Sequence, residues 1–353
     1  MIFNEKYGKF VLYKNHVKCM ENQNTTEVVS TTPVLEEPVL SNSAQSASTT
    51  SEPVVEDPTS QVDEIVTVES YKDSKDSDIL LMLYSKNELG NFHTSIDSDD
   101  EIKIFELIKG KKEFKNNLLI YLDTPGGNVY SAVKIMDMLR GKYKTIEIAI
   151  AQEAKSSGTM MCLAADKLIM SCVSELGPLD KPMKHPDDEM VTISALDIAK
   201  SLDNILNTAI DKQKVLATQL VDQYRISSAK CLEIAGKFVS DLISPMIAKQ
   251  DVKIYNTALR LLNIAEMYGK ELLTKNMLKY VKEEGLRDKI ADMIIKKLVW
   301  EYPDHGFAIR RDELRDWFFK VDNAESADLP DELWSRYFKA NIGDSKRKVI
   351  KFI

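Results

Sequence analysis

Two short glycine-rich turns, each behind an apolar run, constrain this chain more than any other feature. Thr124-Pro125-Gly126-Gly127 follows LLIYLD, and Lys155-Ser156-Ser157-Gly158-Thr159 follows IEIAIAQ. Apolar runs of this length bounded by turn residues read as strands buried on both faces. Ser156 lies 29 residues beyond Gly127, which leaves room for one helix and one further strand, so the chain returns to the same edge of a sheet.

The surrounding pattern extends this into an α/β alternation. ILLMLY reads as a strand, and Asp100 to Lys109 as a helix with Ile102, Phe105 and Ile108 at helical spacing. After the first turn a helix is expected from Val129 to Arg140, stopped by Gly141, and the strand Thr145 to Ala151 then delivers the second turn. A short helix opening at Ser157 and the strand KLIMSC complete a parallel sheet with helices packed on it. Beyond Asp180 the polar stretch KPMKHPDDEM leads into long amphipathic periods over 194–224, 228–243, 252–268 and 286–300. A loop, EYPDHGFAI, and a helix over 311–319 follow.

Composition separates the globular part from its ends. Residues 21–71 hold ten acidic residues and no lysine or arginine, which outweighs the whole net charge of −8 and leaves the remaining chain nearly neutral, slightly positive. With no glycine and no sustained period, that stretch predicts a solvated acidic tether. Four segments are expected: a disordered N-terminal tether over 1–74, an α/β core over 75–190, a helical region over 191–325, and a charged tail over 326–353. No basic stripe with interleaved aromatics argues for nucleic acid, and no run nears the roughly 18 apolar residues of a membrane span. No export signal is read at the N-terminus, which points to the cytoplasm. Cys19, Cys162, Cys172 and Cys231 lack Cys-x-x-Cys spacing; they read as buried thiols, with neither a metal site nor a disulfide framework expected.

The two turns together suggest nucleophilic chemistry. A serine hydroxyl needs a base to take its proton and N–H donors to hold the developing oxyanion. Gly126 and Gly127, without Cβ, let their N–H groups approach a bound carbonyl. Ser156 supplies the hydroxyl, and the Ser157 N–H at a helix start is the natural further donor. Each turn alone is also an ordinary turn or helix start; their joint spacing is what carries the inference. Asp123, beside the first turn, reads as a turn or capping carboxylate.

These residues resemble the serine dehydrogenase proteinase family of ClpP-like proteases. The resemblance rests on strand-TPGG-helix, strand-Ser-x-Gly-Thr-helix, Glu175-Leu176-Gly177-Pro178-Leu179-Asp180, and the late Pro-x-His-Gly loop; it spans about residues 78–325. It implies a ClpP/crotonase-like α/β fold of repeated ββα units followed by a helical C-terminal region. It also implies a serine peptidase acting on peptide or protein substrates, homo-oligomeric assembly, and no cofactor. Carried over, Ser156 is the nucleophile, Asp180 the orienting carboxylate and His305 the general base. Asp180 falls about where ClpP carries its histidine, Ser157 stands where the family more often has alanine, and Lys155 precedes the nucleophile.

Other bases stay open. His185 is nearer in sequence, and Lys200 or Lys212 would serve in a Ser/Lys dyad if burial lowered their pKa. Nothing resembling GxxxxGK[ST] is present, so ATP-driven unfolding would need a separate ATPase. A crotonase-type acyl-CoA enzyme and a non-catalytic oligomeric scaffold are the rival functions, since fold alone does not decide chemistry.

Overall fold

The computed structural model describes residues 2–4, 9–11, 67–84, 94–180, 182–185, 188–333 and 348–353. The chain divides into two compact units, Met1–Gln61 and Val62–Ile353. In the first, β1 (Ile2–Asn4) and β2 (Lys9–Val11) pair antiparallel, with Ile2 opposite Val11. Of the tether expected over 1–74, residues 12–66 lie outside the described residues.

The second unit is built on parallel strands with apolar middles. β3 (Ser77–Leu83), β4 (Asn117–Thr124) and β5 (Thr145–Ala154) pair in parallel order. Alternate side chains feed two cores. Leu80, Met82, Ile120 and Ile148 join the larger one, while Ile79, Leu81, Leu119 and Ala149 join the smaller. Covering on both faces is why these strands read as continuous apolar runs.

The connecting helices follow their capping signals. In α2 (Ser98–Gly110), Asp97 and Asp100 form a reciprocal capping box. In α3 (Val129–Arg140), Asn128 accepts from the Tyr130 and Ser131 N–H groups. α4 (Ser157–Leu163) is wholly buried. α1 (Val68–Ser74) falls inside the stretch expected as tether, and its Val68 and Tyr71 pack into the smaller core; a capping box at Thr67 opens it.

β5 forks the sheet. Its middle pairs with β6 (Lys167–Met170), and its last two residues with β7 (Glu175–Leu176). The polar stretch after Asp180 is a hairpin of β8 (Pro182–His185) and β9 (Asp188–Ser194). α5 (Ala195–Tyr224), α6 (Ser228–Ala248), α7 (Val252–Lys275) and α8 (Glu284–Lys296) follow, the last continued by one π turn over Lys297–Glu301.

Three late segments return to the sheet. β10 (Ile309–Arg310) pairs with β7. After α9 (Arg311–Asp316), β11 (Val321–Asn323) lies parallel to β6. β12 (Val349–Phe352) lies antiparallel to β3, so the end of the expected charged tail supplies an edge strand. Among the described cysteines, Cys162 and Cys231 are buried as expected, whereas Cys172 is exposed on a turn.

Candidate active site

β4 and β5 end side by side, Thr124 opposite Ala154, so both glycine-rich turns leave the same edge of the sheet. A register irregularity between Leu122 and Thr124 opens this corner. There Asp123, fully buried, accepts the Glu153 N–H at 3.0 Å. It bridges the two strands; the cap of α3 belongs to Asn128.

Gly126 (φ +96°) and Gly127 (φ +142°) both take backbone angles unfavourable to L side chains. Their surroundings demand glycine as well. A Cβ on Gly126 would lie 2.5 Å from the Lys155 carbonyl oxygen and 2.8 Å from Ser156 Cβ, and one on Gly127 would lie 2.3 Å from the Ile96 oxygen. The Gly-Gly turn is thus laid between Ile96 and the nucleophile segment. Ile96 holds it by donating its N–H to the Gly126 carbonyl and accepting the Asn128 N–H, each at 2.8 Å.

Ser156 opens α4 at φ 51°, ψ −114°. For a residue with Cβ that conformation costs on the order of 1–3 kcal/mol and persists only where surrounding structure enforces it. Its hydroxyl makes no capping hydrogen bond. Ser156 is mostly buried, at 8% exposure.

Two of the three expected oxyanion donors are left available. The Gly126 N–H is taken by Thr124 Oγ1 at 3.1 Å; among the described residues the bonds holding the turns do not engage the Gly127 and Ser157 N–H groups. Ser157 Oγ, fully buried, has no hydrogen-bond partner among the described residues.

The rest of the Ser-x-Gly-Thr pattern is structural. A Cβ on Gly158 would meet Thr124 Cγ2 at 2.5 Å. Thr159 Oγ1 lies 2.8 Å from both the Ala154 and Gly177 carbonyls and accepts the Gly177 N–H at 3.1 Å. It thereby ties α4 to β5 and to the segment after β7.

Asp180 is buried, but its carboxylate serves α5. Oδ2 accepts the Ser194 hydroxyl at 2.6 Å and Oδ1 the Leu196 N–H at 3.0 Å, where negative charge also complements the helix N-terminus. The Asp180 backbone carbonyl acts on the His305 imidazole, whose Nδ1 has no hydrogen-bond partner among the described residues. Among the described residues the carboxylate's hydrogen bonds run to Ser194 and Leu196, and none runs to the His305 imidazole. Burial, chiefly, pushes the His305 pKa below its ordinary value; Lys155 adds to this, while Asp180 and Asp304 oppose it.

The other bases are less well placed. Lys200 is partly exposed and Lys212 exposed on α5. His185 ends β8, and its side chain lies outside the described residues. What residue spacing did not single out is the packing role of Lys155, whose buried ammonium reaches Glu175 Oε1 at 2.5 Å and the Gly306 and Phe307 carbonyls at 3.2 and 3.3 Å. A charged residue between an apolar strand and a buried helix was the available signal.

A 28% identical relative, an uncharacterized protein of Methanocaldococcus jannaschii, aligns over 169 residues, 44% of this chain. The chain spans 59% of that relative's length. Among solved structures, an alanine variant of the 1510-N membrane-bound stomatin-specific protease matches at 15% identity over 39% of this chain and 64% of the other. Its TM-score is 0.26, too low a likeness to bear on the site. Over residues 59–223, from α1 through α5, this chain carries the sequence pattern of the ClpP-like SDH-type serine proteinase family.

Proposed function

We propose that this protein hydrolyses peptide bonds through an acyl-enzyme on Ser156. The observation that carries this is Ser156 itself: a strained, mostly buried serine at a helix start, its hydroxyl unused for capping, packed on a Gly-Gly turn. The family match over 59–223 supports a peptidase.

In this mechanism Ser156 Oγ attacks the scissile carbonyl carbon while His305 takes its proton, directly or through one water. The Gly127 and Ser157 N–H groups hold the oxyanion of the tetrahedral intermediate. Each such donor is typically worth about 3–4 kcal/mol in the transition state. His305 then protonates the departing amine, and water releases the acyl group by the same steps in reverse order. The lowered pKa keeps the imidazole neutral, as a base must be. Asp180 acts through its backbone carbonyl and by anchoring α5.

Homo-oligomeric assembly belongs to the same proposal. Leu206, Ile210 and Val215 on α5 and Leu232, Phe238 and Leu242 on α6 are all at least 41% exposed, more apolar side chain than a lone helical hairpin ordinarily leaves to water. Light scattering after size exclusion reads the state directly, and a monomer would remove this part.

The test of the chemistry is labelling with a fluorophosphonate, mapped by mass spectrometry. Label on Ser156 is expected, absent in Ser156→Ala, strongly slowed in His305→Ala and unchanged in Lys200→Ala. A folded wild type that takes no label would overturn the proposal and make thioester binding the next measurement.

A further inference from the structure

Lys155 is a buried lysine, 8% exposed, placed directly before the nucleophile. Its ammonium has three N–H groups and no lone pair, and they are shared among Glu175 Oε1 at 2.5 Å and the carbonyls of Gly306 at 3.2 Å, Phe307 at 3.3 Å and Leu176 at 3.4 Å. The stem is accommodated deliberately. A Cβ on Gly177 would stand 2.6 Å from Lys155 Cδ and 3.3 Å from its Cα. Glu175 is its ion-pair partner.

The three segments it joins are also linked by strand pairing. β5 ends at Ala154 and pairs with β7, and β7 pairs with β10, which begins at Ile309. The intervening loop that bears His305 has its own internal bonds, Asp304 Oδ1 accepting the Gly306 N–H at 2.7 Å. The contact from this loop back to the nucleophile segment is made by Lys155, across 151 and 152 residues of sequence.

We propose that Lys155 is the positioning residue of this site: its ammonium clamps the 304–307 loop, and His305 with it, against the segment that carries Ser156. This deepens the peptidase proposal and rests on it for its catalytic meaning. Lys155 does in this chain, through backbone carbonyls, the orienting that a carboxylate would do through Nδ1. The charged groups acting on His305 are Asp180, Lys155 and Asp304. Removing the cation raises the imidazole pKa, and so does loosening the loop, since a less buried imidazole protonates more easily. Both effects have one sign.

The experiment compares wild type with Lys155→Met and Lys155→Arg by two readouts. One is the rate of fluorophosphonate labelling of Ser156 across pH. The other is NMR titration of the His305 imidazole, one of four histidines, assigned with His305→Gln. The proposal expects Lys155→Met to slow labelling about a hundredfold, the usual penalty of about 1 Å of misplacement. It also expects the acid limb and the His305 titration to move upward together, with Lys155→Arg restoring most of both. Lys155→Gln, neutral but polar, replaces Lys155→Met should that variant not fold, with the same expectations. Unchanged labelling and titration in the neutral variant overturn the proposal. So does slowed labelling with an unmoved His305 titration, which marks a purely structural lysine. A wild type without label defeats the peptidase proposal instead; the His305 titration then still tests the clamp, a rise supporting it and no change refuting it.

Discussion

Replacing Gly126 by alanine tests the geometry of the site most directly. The new Cβ would stand 2.5 Å from the Lys155 oxygen and 2.8 Å from Ser156 Cβ, where ordinary contact begins near 3.4 Å, and neither neighbour is a flexible chain end. The turn must retreat by most of an ångström. Holding a side chain at φ +96° costs on the order of 1–3 kcal/mol. Retreat also strains the bonds to Thr124 Oγ1 at 3.1 Å and from the Ile96 N–H at 2.8 Å, each worth about 1 kcal/mol net. A loss of about 3–5 kcal/mol follows, a large share of the 5–15 kcal/mol that holds most domains together. At about 2 °C per kcal/mol for a unit of this size, the melting temperature falls by about 6–10 °C. Labelling of Ser156 falls at least as far as loss of one oxyanion donor implies, about a hundredfold, because the Gly127 N–H moves with the turn. Melting by circular dichroism and labelling kinetics read both. Gly110→Ala is the control: nothing lies within 4 Å of that Cβ, and no change beyond the slight gain of alanine in a helix is expected. A Gly126→Ala protein that melts and labels like wild type would refute the packing described here.

Three further outcomes follow from the same corner. Ser157→Ala removes a buried hydroxyl without a partner while keeping the backbone N–H, so it raises stability by up to about 1 kcal/mol and leaves Ser156 labelling within about twofold; a clear loss of labelling would show that the hydroxyl itself takes part. Thr159→Val leaves the Gly177 N–H and two buried carbonyls short of a partner and lowers stability by about 1–3 kcal/mol in a thermal melt; an unchanged melt would contradict the bonding. Burial holds the His305 pKa below about 6.5, its unfolded value. The unfolded chain therefore takes up a proton first as pH falls, and stability from this group, fully present above about 6.5, declines down to the lowered folded pKa. The acid limb of Ser156 labelling accordingly lies below 6.5, and one lying above it would mean a different base.

The β4–α3–β5–α4 unit was legible because each of its signals is local. Apolar runs mark strands covered on both faces, Asn128 and the glycine turns mark where strand becomes helix, and α3 runs over Val129–Arg140 as the periodicity predicts. The short strands were not. β8, β10, β11 and β12 have two to four residues each, and a tetrad as short as Val349–Phe352, inside a charged stretch, becomes a strand by pairing along the edge of β3. Asp180 was singled out by resemblance, yet which donors reach its carboxylate depends on where α5 begins, and that follows the β8–β9 hairpin.

The sequence by itself determined the parallel core and the pairing of a Gly-Gly turn with a serine at a helix start, since apolar runs and turn residues are local signals; what excludes a side chain at Gly126 and Gly127 is backbone about 30 residues away. Only the tertiary structure decided what surrounds Ser156. Ile96 props the turn, Asp180 turns its carboxylate to α5, and Lys155 reaches the His305 loop more than 150 residues away. Hydrogen bonds and ion pairs of this kind form between whichever groups the folded core leaves adjacent and dry, and no local pattern encodes that adjacency.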